Sequence, residues 1–272
     1  GASNACVTAF NSDGFALGSN GDVNGNTLTY ASWNWKANGQ GSSNTDGTIN
    51  STYTSASTTS GFSIVQFTGT GANATVGHGL GVAPSVIITR PTSQSGTWRV
   101  YNEALGNTQY LTLNTTAAQG TGSTMWNGSP TNQVFTLGSS SDTNGSGVTF
   151  TSYCFAEKQG FSKMGKYTGT GNVDGAFVYT GFKPAWVLIK NTTATEAWFL
   201  YDNKRGYNGA MKALFPDEEA AEGGAADNID LLSNGFKLKT AGAILNSATT
   251  FSYIAFAAAP FVGTNNVPAT AR

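Results

Sequence analysis

Apolar residues in this chain fall at every second position over short runs, and Gly, Asn, Ser and Thr clusters separate the runs. GFSIVQFT, ATVGH, PSVIITR, WRVYN, QYLTLN, QVFTLG and GVTFTSYCFAE follow one another between residues 61 and 158. Alternation with period two is the mark of a half-buried strand. SVIITR and SYCF break the alternation with adjacent apolar residues, which suits strands covered on both faces. Between the runs stand the turn signals GTGAN, GVAP, SQSG and DTNGSG. Pro84 and Pro184 each open the strongest strand, where a missing N–H does least harm. About seven short strands in one such stretch predict a small β-sandwich of jelly-roll type.

The pattern occurs twice. At a shift of 100, Phe67 meets Tyr167, Thr68-Gly69-Thr70-Gly71 meets Thr168-Gly169-Thr170-Gly171, and Pro84, Trp98, Tyr101 and Gly106 meet Pro184, Trp198, Tyr201 and Gly206. A match of this length without a gap is an internal duplication, and it fixes the architecture. The back of the unit occurs a third time. FALGSNGDVNGNTLTYASWNWKA at 15–37 matches VFTLGSSSDTNGSGVTFTSYCFAE at a shift of 120, and Phe236, Leu238, Phe251 and Phe256 hold the corresponding places in the last copy. The expected organisation is a partial-repeat hairpin at 1–38, a linker at 39–60, full repeats at 61–159 and 160–260, and an extended tail at 261–272. The leading hairpin needs a partner surface, because an isolated hairpin is marginal in water. It is expected to pack on the first full repeat, or to be completed by upstream residues or a neighbouring chain, with cleavage from a longer precursor as one origin. Residues 207–230 have no counterpart in the first repeat and hold the one helix-like run, with Asp217, Glu218, Glu219 and Glu222 near its start.

Composition narrows the class. With 35 Gly, 12% aromatic and 11% charged residues in 272, the chain is neither disordered nor helical. A net charge of −1 without a basic patch argues against nucleic acid. No apolar run is long enough for a membrane-spanning helix. Cys154 lies in an apolar strand and reads as a buried thiol; Cys6 could pair with it or with another chain.

Candidate chemistry is sparse. His78 is the single histidine, no Gly-x-Ser-x-Gly elbow accompanies it, and it reads as a turn or strand-end residue. One His and two separated Cys do not make a zinc cage, and no cofactor is expected. Glu103, Glu196 and Asp202 flank the WRVYN and WFLYDN strands, but the acids are not paired alike in the two copies, so an enzyme is not expected and a polysaccharide depolymerase is the third reading. Aromatics offer more. A solvent-facing Trp is a flat platform for a sugar ring. Trp126, in the unmatched loop GTGSTMWNGSP, is the first candidate for a binding surface, followed by the repeated Trp98, Trp198, Tyr101 and Tyr201, whose recurrence at equivalent sites also suits a core. Trp33, Trp35 and Tyr30 of the leading hairpin are the candidate assembly residues.

SDGFALGSNGDVNGNTLTYASWNWKANG, the following GFSIVQFTGTGANATVGHGLGVAPSVIITR and the closing SYIAFAAAPFVGTNNVPATAR resemble a β-rich module found in virion proteins of bacteriophages, especially marine ones. The resemblance covers nearly the whole chain. It implies a structural or tail-fibre-like virion protein, extracellular, without catalytic residues, whose partners are other copies of itself (trimers are common in phage fibres), other virion proteins and a host surface glycan. An extracellular filament or adhesin subunit, joined by strand pairing between subunits, is the alternative.

Overall fold

The computed structural model describes residues 6–258. The chain divides into two compact units, one ending at Trp35 and one beginning at Lys36. The fold is all-β, built from antiparallel sheets.

The N-terminal unit holds a hairpin of β1 (Val7–Phe10) and β2 (Phe15–Leu17), then a single helical turn, α1 (Gly21–Asn24). The expected hairpin over 15–37 is corrected here: β2 pairs with the preceding β1, and residues 28–38 belong to no strand.

The first module holds β3 (Tyr53–Ser57), β4 (Phe62–Thr68), β5 (Ala74–Gly77), β6 (Val86–Pro91), β7 (Arg99–Asn102), β8 (Gln109–Thr112), β9 (Gly120–Thr121), β10 (Val134–Leu137), α2 (Ser141–Asn144) and β11 (Thr149–Phe155). Its large sheet runs β3-β4-β11-β6-β7-β8-β9, and its small sheet pairs β10 with β5. The core lies between them: Val65, Phe67, Ile87, Phe150 and Cys154 point in from the large sheet, and Val76, Phe135 and Leu137 from the small one. The expected linker at 39–60 is corrected too. β3 is an edge strand of the large sheet, Ile49 is buried in the core, and the Ser55 hydroxyl donates to Gly39 O. Ser and Thr that saturate one another's backbone groups give order without an apolar pattern.

The second module holds β12 (Ser162–Thr168), β13 (Phe177–Tyr179), β14 (Pro184–Asn191), β15 (Phe199–Asp202), β16 (Ile229–Leu232), β17 (Gly235–Leu238) and β18 (Thr250–Ala257). Its sheets run β12-β18-β14-β15 and β13-β17-β16 around a second core. No helix forms in residues 207–230. The segment is tied down by the isolated bridges Tyr207–Ala210, Leu200–Leu214 and Met211–Ala226, and by Glu222 paired with both Arg205 and Lys212.

The central strands β11 and β18 are hydrogen-bonded on both edges. β18 is also covered on both faces: Phe251, Tyr253 and Ala255 enter their own core, while Ser252 accepts from Asn102 Nδ2 of the first module at 2.8 Å and Phe256 packs on Phe155. Adjacent apolar residues in this strand thus have a packing cause, the neighbouring module.

Candidate functional site

The repeated TGTG turn is held by one buried asparagine in each module. Asn144 Oδ1 accepts from Thr70 N at 2.8 Å, and its Nδ2 donates to Ala72 O and Gly138 O. Asn246 does the same work: its Oδ1 accepts from Thr170 N, and its Nδ2 donates to Asn172 O and Thr240 O. Both side chains are fully buried. The turn must approach closely. A Cβ on Gly69 or Gly169 would run into the carbonyl of Gly145 or Ser247, while Gly71 and Gly171 have φ of +75° and +66°, a region open to Gly and tolerated by Asn. Next to the clamp, Phe67 stacks on Phe150 at 5.5 Å, and Tyr167 on Phe251 at 5.0 Å. Each module is thus a front, carrying the aromatic and the TGTG turn, locked to a back, carrying the Asn and the second aromatic.

The N-terminal unit repeats the back. Asn20 caps α1 by accepting from Asp22 N, as Ser140 caps α2 by accepting from Asp142 N. Asn24 Nδ2 donates to Gly18 O at 2.8 Å, the bond that Asn144 makes to Gly138. The Oδ1 of Asn24 takes no donor among the described residues. Burial differs as well. Leu17 is 39% exposed and Tyr30 48%, whereas their counterparts Leu137 and Leu238, Phe150 and Phe251, are at 0%. Phe10, Val7 and Leu28 of this unit are exposed as well. Residues 29–35, the counterpart of the doubly paired β11, lie outside the described strands.

The second feature is a cleft of about 250 Å³ where the two modules meet. Leu105, Gln109 and Gln119 line it from the first module; Lys166, Thr192, Thr193 and Thr250 line it from the second. Main-chain bonds fix the walls: Gln119 N donates to Thr192 O, and Glu196 N to Thr116 O. Thr192 Oγ1 donates to Thr250 O and Thr193 Oγ1 to Asn191 Oδ1, so both hydroxyls keep acceptor lone pairs for a ligand. Gln109 Oε1 accepts from Thr121 Oγ1, which leaves its amide N–H groups as donors. Lys166 is exposed and makes no ion pair among the described residues. Lys190, on β14 two residues before Thr192, is fully buried, its ammonium donating to the carbonyls of Thr116, Asn191 and Ala194. Burial pulls its pKa down to about 8, against the pull of Asp217 and Glu196.

The residues singled out from sequence lie elsewhere. Trp126 is 1% exposed, edge-on to Tyr101 at 5.7 Å in the first core, so its expected place on a binding surface is corrected. Its loop folds over the end of the sandwich, and Met125 O accepts from Gly138 N and Thr143 Oγ1. Tyr101 and Tyr201 are core residues, and Trp198 is buried with its Nε1 donating to Thr112 O of the first module. None of these four can stack on a sugar. Trp98 is half-buried, stacked on Tyr153 with the Arg90 guanidinium 4.6 Å from its ring centre. Trp33 and Trp35 are half-buried and Tyr30 is exposed, all in the N-terminal unit. The cleft residues escaped the sequence reading because Thr and Gln fill this chain; only the meeting of two modules singles these out.

His78 is buried, with Nδ1 accepting from Leu80 N and Nε2 at 3.1 Å from Thr131 O; burial lowers its pKa. Asp202 pairs with Arg205 and accepts from Lys204 N, while Glu103 is an exposed turn residue. Both cysteines are free, and burial pushes the Cys154 thiol to about 12. Among the described residues no His, Cys, Asp and Glu gather as a metal-binding group, and no helix is long and apolar enough to cross a membrane.

No curated protein and no solved structure matches the chain. A family model does, over residues 1–260, and the chain belongs to that family, described as a domain of unknown function, DUF7483.

Proposed function

We propose that the protein is a non-enzymatic structural component that assembles into a multi-copy extracellular body and attaches to surface glycans, the bacteriophage virion being the setting that its sequence resemblance implies. The observation that carries the assembly reading is the exposed apolar surface of the N-terminal unit, Val7, Phe10, Leu17, Leu28 and Tyr30. Leu17 and Tyr30 stand where the complete modules bury their counterparts, and covering what each still exposes would contribute about 1 kcal/mol. Exposed apolar side chains on a β-hairpin unit, Phe10 and Leu28 among them, suit a surface that another copy covers. Light scattering over a concentration series tests it: a mass above that of the monomer is expected, and a monomer at every concentration would refute it. A closed oligomer fits a fibre or decoration protein, whereas an open-ended polymer favours a filament subunit.

The inter-module cleft supports the attachment reading. Hydroxyl acceptors, amide donors and one ammonium over a Leu105 floor suit a polyhydroxylated ligand bearing a carboxylate. Many copies on one body would turn weak single contacts into avidity. Glycan-array binding by the assembled protein, weakened at least tenfold by Lys166→Glu, is expected; binding indifferent to Lys166→Glu would place the glycan site elsewhere.

A further inference from the structure

Two aromatic rings stand out to solvent side by side in the second module. Phe177 and Tyr179, on the edge strand β13, are 47% and 65% exposed, and Val178 between them points into the core. Residues two apart on a strand share a face and stand about 6.7 Å apart along it. Each ring lies against a glycine. A Cβ on Gly235, the β17 residue opposite Tyr179, would come within 2.9 Å of Phe177 Cζ, so a side chain there would lift the ring off the sheet. Tyr179 runs beside Gly181, where a Cβ would meet the phenol oxygen at 3.5 Å. Each ring thus rests on backbone on one side, and its exposure leaves the other side to solvent.

The duplication shows that the pair belongs to one module. At a shift of 100 the same positions are Gly77 and Gly79. There the chain roofs its own strand: the Asn44 side chain fills the place of a Cβ on Gly77, Ala56 and Thr54 border Gly79, and Ile49 bridges Val76. Hydrogen-bonding groups border the two rings. Lys237, opposite Phe177, pairs with Asp174 Oδ1 at 2.6 Å, and the Asp174 side chain stays 84% exposed, with Oδ2 left to accept. A pyranose has the matching make-up, an apolar C–H face that rests on an aromatic ring and a rim of hydroxyls. The Lys237 charge is already met by Asp174, so the place favours a neutral sugar.

We propose that Phe177 and Tyr179 form a stacking platform for the neutral pyranose rings of an oligosaccharide, with Asp174 accepting from a hydroxyl at its edge. This gives the attachment reading above a second surface, apart from the Lys166 cleft and its preference for a carboxylate. Neutral and uronic-acid-bearing oligosaccharides on one array test it, with the full chain, Phe177→Leu/Tyr179→Leu, Tyr179→Phe and Lys166→Glu. Leucines keep the exposed positions apolar and remove the rings, and an unchanged urea midpoint checks the fold. Binding of neutral glycans weakened at least tenfold in the double variant, and kept in Tyr179→Phe and Lys166→Glu, is expected. Neutral binding equal in the double variant, or binding confined to acidic glycans, would overturn the platform and leave the attachment reading with the cleft. Loss of assembly by the double variant in light scattering would assign the rings to a contact between copies, and so overturn the platform. An unmodified chain that binds no glycan would remove both.

Discussion

At the scale of the residue, the modules hang on asparagines. Asn144→Ala would orphan the Thr70 N–H and two carbonyls in a buried site, and each orphan costs about 1–3 kcal/mol. A loss of about 2–4 kcal/mol is expected in urea unfolding, with Asn246→Ala alike in the second module. Trp126→Ala is expected to cost about 3–5 kcal/mol, as for a core ring, and to leave glycan binding by the folded fraction unchanged. Thr27 has φ 67°, at the place where the first module has Gly147, and it is the one non-glycine residue of positive φ among those described. A β-branched residue is strained there, so Thr27→Gly is expected to stabilise the N-terminal unit by about 1 kcal/mol, read as slower hydrogen exchange in α1. Asn24 and Asn144 fall at equivalent positions of the sequence repeat and Asn246 one residue out of register, and nothing in the sequence says what they hold. A side chain that clamps a turn more than seventy residues away leaves no local pattern.

At the scale of the element, strands were legible wherever apolar alternation met turn chemistry, as in β4, β6, β11 and β14. Three elements were not. β3 is Tyr-Thr-Ser-Ala-Ser, an edge strand with few apolar side chains, and its order comes from hydroxyl bonds that polarity alone does not announce. The acid-rich run after Pro216 carries first-turn acids without an apolar stripe, so nothing pays for a helix, and its charges go instead to Arg205 and Lys212. Residues 29–35 have the sequence of a central strand and lie outside the described strands, because alternation along a segment does not name the partners that make it a strand. Trp126 misled because a Trp in an unmatched polar loop reads as exposed, whereas this loop closes the end of the sandwich.

At the scale of the molecule, the two modules act as one body because β18 is covered by both. Trp198→Phe keeps an aromatic ring but loses the bond to Thr112 O, and a destabilisation of about 1–2 kcal/mol is expected, with calorimetric unfolding of the variant broader than that of the unmodified chain. Alkali should loosen the same body. Burial raises the pKa of Tyr167, Tyr201 and Tyr253, the last to about 12, so the folded state holds their protons where the unfolded chain releases them. Their contribution is complete below about pH 10 and is lost as pH rises towards 12. Lys190 has the opposite sign: with its pKa lowered to about 8, it favours folding increasingly between pH 8 and 10.5 and is neutral in both states above that. Urea midpoints are therefore expected to hold or rise to about pH 10 and to fall beyond it, with Tyr253→Phe making the fall shallower.

The account turns on another copy covering the exposed apolar surface of the N-terminal unit, and hydrogen–deuterium exchange along residues 28–35 at low and high protein concentration tests this most directly. Rapid exchange on dilution and marked slowing at high concentration, with β11 and β18 slow throughout, is the expected result. Exchange over residues 28–35 that does not change with concentration would contradict it.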